Sequence, residues 1–210
     1  MTASPASFTA GPAALFGGWV LMRPIDGDAV PGAWWTAAHA VWLFGFLMFG
    51  VMIVRLWRLA APRTRGQRVA VAAAAGVALF SVAANVAQLA VDLVAGLTRA
   101  DGAGMKALFD QVKAYPGVEP IVYGIGAQLF FAALLVLAGI MAALRRVTSL
   151  SAALVATGVV VLAVATLGLG RDSALVAVGM AVLWLGALLL GRSPDGGDAI
   201  IASSAPPLRP

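Results

Sequence analysis

Four polar residues stand at helical spacing in an otherwise apolar stretch: Ser81, Asn85, Gln88 and Asp92. Steps of four, three and four residues place them on one face of a helix. Ser, Asn and Gln in such a setting can serve as hydrogen-bonding glue between helices, at about 0.6 kcal/mol each. A carboxylic acid is different. Glue does not need Asp92, and an Asp at the centre of a membrane helix costs roughly 2.5–3.5 kcal/mol on insertion scales. The stripe should therefore face a bundle interior or a water-filled cavity. Other groups share its depth. His39, Glu119 and Tyr123 fall in the same leaflet as Asp92, and Gln128 falls near the level of Gln88 and Asn85. Asp26 and Asp28 stand in a loop just above. A histidine beside a carboxylate is held in one tautomer. Such a pair could shuttle a proton or protonate a lipophilic substrate. The alternative for His39 is an interface residue bonded to a backbone carbonyl.

The elements that must position these groups are membrane helices. The chain of 210 residues is 61% hydrophobic and 11% charged, with mean hydropathy +0.95. A soluble domain carries about 25% charged residues, and a chain this short could not hide so much apolar surface in a water-soluble core. Six apolar segments are readable: Ser7–Met22, Trp34–Trp57, Val69–Leu97, Val118–Leu144, Leu150–Leu169 and Ser173–Leu190. Crossing a bilayer takes about 20 residues. The first segment is shorter and contains Gly11, Pro12, Gly17 and Gly18, which suits a tilted or re-entrant helix. The expected fold is thus all-α: a polytopic transmembrane bundle of six helices, or five if the first does not span. Residues 7–192 form one domain in this reading. The Pro-, Gly- and Ser-rich stretch 193–210 and residues 1–6 are expected to be disordered tails.

Between the third and fourth segments, Met105, Leu108, Phe109 and Val112 recur at i, i+3, i+4 and i+7, flanked by Lys106, Asp110 and Lys113. Gly102 and Gly104 precede this run, and Pro116 with Gly117 ends it. The pattern is that of a short amphipathic helix in the membrane interface. It reads either as a lid over the polar groups or as a plain connector.

Charge sets the orientation. Arg55, Arg58, Arg63, Arg65 and Arg68 crowd the connection between the second and third segments, joined on the same side by Arg145, Arg146, Arg192 and Arg209. The opposite side holds Arg23, Arg99, Lys106, Lys113 and Arg171 among most of the acids. The excess of Lys and Arg marks the cytoplasmic face. Both termini are then cytoplasmic, in a bacterial plasma membrane. The net charge of +5 is explained by topology, and no nucleic-acid partner is implied. With no cysteine and a single histidine, disulfide, thiol, iron–sulfur and bis-histidine haem chemistry are excluded. No cofactor is called for, and the acids show no metal-ligand spacing.

The run Gly11–Pro12, Gly18–Trp19, Arg23–Pro24 and Trp35-Thr36-Ala37-Ala38-His39 resembles small Ala/Val/Leu-rich polytopic integral membrane proteins of high-GC actinobacteria, mostly of unknown function. The resemblance implies a plasma-membrane helical bundle and carries no catalytic residue. Aspartate-rich prenyltransferase motifs, P-loops, rhomboid-like Ser/His pairs and zinc-protease patterns are absent from the sequence.

Two functions fit. One is binding or translocation of a lipid-like or small hydrophobic ligand in the outer half of the bundle, at Asn85, Gln88, Asp92, His39, Tyr123 and Gln128. The protein would meet membrane lipids and such a ligand, and could act as an accessory subunit with a membrane-protein partner or as a homo-oligomer through its small-residue fifth and sixth segments. The other is an intramembrane enzyme acting on an isoprenoid or lipid, with Asp92 as general acid and His39 or Glu119 as its partner.

Overall fold

The computed structural model describes residues 6–23, 30–169 and 173–192. Asp26, Asp28, Arg171, Arg209 and both expected tails beyond these limits lie outside the described residues. Helices make up most of the described chain, and no strand occurs among the described residues. They are α1 (Ala6–Met22), α2 (Ala33–Leu59), α3 (Arg65–Thr98), α4 (Gly102–Lys113), α5 (Ile125–Ala143), α6 (Ser149–Val164) and α7 (Ala174–Arg192). A π-helical turn, Glu119–Gly124, leads into α5, and a second, Ala165–Leu169, extends α6.

Four stretches are long and apolar enough to cross a membrane: Ala33–Ala60, Arg65–Thr98, Glu119–Ala143 and Ala174–Arg192. The protein is therefore a helical membrane protein by length and composition. The expected count of six is not reached on that criterion. α1 has 17 residues, about 25 Å at 1.5 Å per residue and short of a ~30 Å hydrocarbon core, and α6 has 16 before the five-residue π-helical turn that extends it.

The packing closes a ring. α1 lies on α2, α2 on α3, α3 on α5, α5 on α6, α6 on α7, and α7 returns to α1. α4 packs only against α3 among the helices with substantial contact. The ring's interior is apolar, with Phe49, Met52, Ile53, Phe130, Leu134, Leu137, Met141 and Leu183 all buried. Phe49 and Phe130 meet with ring centroids 4.8 Å apart, which joins α2 to α5 across the ring. Without a hydrophobic force between helices in lipid, close approach must come from small residues. The α6–α7 contact shows this. A Cβ on Gly158 would stand 2.5 Å from the Leu183 backbone nitrogen, and one on Gly186 would stand 2.7 Å from that of Val155. The two backbones touch there because neither position has a side chain.

Local chemistry sets the ends. Thr64 and Gln67 form a capping box that starts α3. Asp101 accepts from the Gly104 amide and starts α4, so that helix begins at Gly102 rather than after Gly104. Arg146 donates to the carbonyls of Ala60 and Ala61 at the end of α2, tying the α5–α6 connection to the α2–α3 connection.

Candidate functional site

Asp92 sits in α3 about one and a half turns, or roughly 9 Å, before the helix ends at Thr98. Its side chain is only 11% exposed. His39 of α2 faces it, with Nε2 3.7 Å from Asp92 Oδ2. His39 is held from two sides. Its Nδ1 donates to the Trp35 carbonyl one turn earlier, at 2.8 Å, and its ring stacks on Trp35 with centroids 4.1 Å apart. Trp42, one turn later, meets it edge-on at 5.2 Å. Both readings of His39 thus hold at once: it is bonded to a backbone carbonyl through one nitrogen and presents the other to a carboxyl group.

Trp35 is the positioning residue. Its Nε1 donates to the backbone carbonyl of Asp92 at 2.9 Å, which fixes α2 against α3 at the level of the pair. The indole lies against Gly96, where a Cβ would come within 2.5 Å of Trp35 Cδ1. Met105 of α4 is fully buried with Trp35 and Ala95, and Met22, Leu108 and Phe109 pack against them. This small cluster seats α4 over the C-terminal end of α3.

The N-terminal part of the stripe does different work. Ser81 Oγ donates to the Gly126 and Ala127 carbonyls. Asn85 Nδ2 donates to the Ser81 carbonyl at 2.8 Å and the Ala127 carbonyl at 3.0 Å. These bonds reach the α5 backbone just after the π-helical turn. Ser81 and Asn85 therefore bond α3 to α5. Both Asn85 N–H bonds are used, and its Oδ1 keeps no partner among the described residues.

A cavity of about 480 Å³ opens beside the pair. Its polar walls are His39, Asn85, Gln88, Asp92, Lys113 and Tyr123, and its apolar walls include Leu15, Met22, Trp35, Trp42, Phe46, Leu89 and Phe109. The Tyr123 hydroxyl is buried without a hydrogen-bond partner among the described residues, and Gln88 makes no side-chain hydrogen bond among them. Lys113 Nζ lies 4.9 Å from the centre of the Tyr123 ring.

The structure thus gathers five residues named from the sequence: His39, Asn85, Gln88, Asp92 and Tyr123. It does not bring Glu119 or Gln128 to them. Both are exposed and line no part of the cavity. Depth was the shared property, and depth ignores angle. Five residues after Tyr123 is some 140° around an α-helix, so Gln128 of α5 turns away from α3. Lys113 is the residue that sequence reasoning missed, grouped as it was with Lys106 and Asp110. Those two do pair on the exposed face. Lys113, in the last turn of α4, reaches the cavity with its long stem. Among the described residues no group of three His, Cys, Asp or Glu side chains could hold a metal ion.

Comparison of the chain with protein-family models, curated proteins and solved structures gives no match.

Proposed function

We propose that the protein resides in a bacterial plasma membrane, with both termini cytoplasmic, and binds or translocates a lipid-like or small hydrophobic molecule in the cavity between α1, α2, α3 and α4. One observation carries this reading: a cavity within the usual size range of small-molecule sites contains polar groups that the protein leaves unpaired. Buried polar groups are normally hydrogen-bonded, so the buried Tyr123 hydroxyl calls for water or a ligand, and the half-buried Gln88 amide and Asn85 Oδ1 beside it are open to the same partner. α4 is the lid in this reading. It buries Met105, lays Phe109 along the cavity and keeps Lys106 and Asp110 outside, as an amphipathic helix in the interface would.

A second reading, an intramembrane enzyme, is favoured by the His39–Asp92 geometry alone. Asp92 would act as general acid with His39 as its partner; Glu119, exposed at the surface, would have no part.

Native mass spectrometry of the purified protein separates the two. Wild type should carry a small-molecule adduct that His39→Ala diminishes. On the binding reading Asp92→Asn, which keeps the shape, retains most of that adduct. An enzyme would retain it too but lose turnover of the released compound. No adduct in wild type, with only a stoichiometric protein partner present, would refute both and leave the stripe as packing in an assembly subunit.

A further inference from the structure

Resting on the binding reading above, we infer that the cavity selects an amphiphilic anion, a lipophilic molecule whose head is a carboxylate or a phosphate monoester, and that Lys113 is the residue that recognises it.

The argument begins with hydrogen-bond bookkeeping around His39. The Trp35 carbonyl can only accept, so His39 Nδ1 carries a proton. Nε2 then faces Asp92 Oδ2 across 3.7 Å. With no further proton, two lone pairs oppose each other, one of them on an anion. A proton on either atom turns repulsion into attraction, as an imidazolium beside a carboxylate or a neutral imidazole beside a carboxylic acid. In both arrangements the pair is neutral as a whole. With that proton in place the negative charge of Asp92 is cancelled within its own pair.

Lys113 is then the charge left over. Around this cavity the ionisable groups are His39 on α2, Asp92 on α3, Lys113 on α4 and Tyr123 on the turn before α5. The Lys113 ammonium has no carboxylate within 4 Å among the described residues. Its nearest described contact is the face of Tyr123, worth much less than a full counter-ion in a partly dry site, and the Asp92 carboxyl acts on it only from beyond ion-pair distance. With the His39–Asp92 pair neutral, the described groups that line the cavity carry one net positive charge, at the α4 side. Beside it the Tyr123 hydroxyl offers an unused donor. Two donors, one charged, suit an acidic oxygen far better than a hydroxyl or an ammonium. The body of the molecule would lie along Trp35, Trp42, Phe46 and Phe109.

The test uses four probes with the same twelve-carbon chain: dodecanoate, dodecyl phosphate, dodecan-1-ol and dodecylammonium. Each is titrated into the full-length protein in phosphatidylcholine nanodiscs, following tryptophan emission, and affinities are referred to the bilayer concentration measured with empty discs. One or both anions should bind about tenfold or more tightly than the alcohol, as expected for hydrogen bonds to a charged group. Lys113→Gln should reduce that preference to about threefold or less, and Lys113→Arg should keep it, since the charge remains. A preference for dodecanoate over dodecyl phosphate, or the reverse, tells a fatty-acid-like source from a lipid-phosphate one. Tighter binding of dodecylammonium would overturn the inference, because Asp92 would then be the counter-ion. Equal binding of all four probes, or a preference untouched by Lys113→Gln, would also overturn it while leaving the cavity as a binding site. Binding of none would remove the binding reading itself.

Discussion

Replacing Gly96 by Ala tests whether Trp35 is as firmly placed as the site requires. The added Cβ would stand 2.5 Å from Trp35 Cδ1, 3.1 Å from its Nε1 and 3.3 Å from Thr36 Oγ1. Carbon contacts settle near 3.5–4 Å, so the indole must retreat by roughly 1–1.5 Å. That retreat breaks the 2.9 Å bond from Nε1 to the Asp92 carbonyl, a loss of about 0.6 kcal/mol and at most about 1.7 in a membrane protein. It also slides the ring off His39, whose centroid is 4.1 Å away, for a further 0.5–1.5 kcal/mol or so. Against these stands a gain of about 1 kcal/mol in helix propensity from removing a glycine. Gly139 supplies the control. It lies in the body of α5, where an added Cβ would meet nothing within 4 Å, so Gly139→Ala takes the gain alone. Gly96→Ala should therefore be less stable than Gly139→Ala by about 1–3 kcal/mol, the sum of the two losses. Unfolding free energies in mixed dodecylmaltoside–dodecylsulfate micelles would measure the difference, with near-ultraviolet circular dichroism reporting the tryptophans. Equal stability of the two variants, with an unchanged aromatic spectrum, would show that Trp35 is not pinned and that the His39–Asp92 geometry lacks its support.

Two further outcomes follow from the same packing and charge arguments. Gly158→Ala and Gly186→Ala each force the α6 and α7 backbones apart, and each should destabilise by about 2 kcal/mol in the same assay; stability at or above wild type would show that the helices are not in backbone contact. The absence of cysteine makes the topology directly testable: with Ala103→Cys a membrane-impermeant maleimide should label intact cells, with Gly66→Cys only permeabilised ones, and the reverse pattern would invert the proposed orientation.

What could be read from the sequence was what depends on spacing along one helix. Asn85, Gln88 and Asp92 stay on one face because 3.6-residue periodicity is intrinsic to the backbone, and the same periodicity placed Met105 and Phe109 on the inner side of α4. What depends on the angle between helices could not be read. Nothing in the sequence around Gln128 says that α5 turns it away from α3. The π-helical turn at Glu119–Gly124 was also hidden, although Pro120, which cannot donate to an α-helical bond, marks where the regular ladder fails. Lys113 was misplaced because a long side chain near a helix end is not bound by the face of its Cα. Composition gave the membrane class, and apolar length gave the bounds of the two short segments: α1 stops at Met22, and α6 with its π-helical turn ends at Leu169.

Every residue lining the cavity lies between Leu15 and Tyr123. A chain made from its N-terminus has therefore received all the walls of that space before α5 is finished, and the last two helices add none. What they add is closure. α7 packs on α1, with Gly191 against the ring of Phe8, so the first helix to be synthesised finds its second neighbour only when the last has been delivered. Until then α1 is held chiefly from the α2 side, with Met22 reaching the cluster of Trp35, Ala95 and Met105. The order of manufacture thus assigns the C-terminal hairpin a late, bracing part in assembly: it makes no contact with the contents of the cavity, yet it is the clasp on the helix that forms one of its walls.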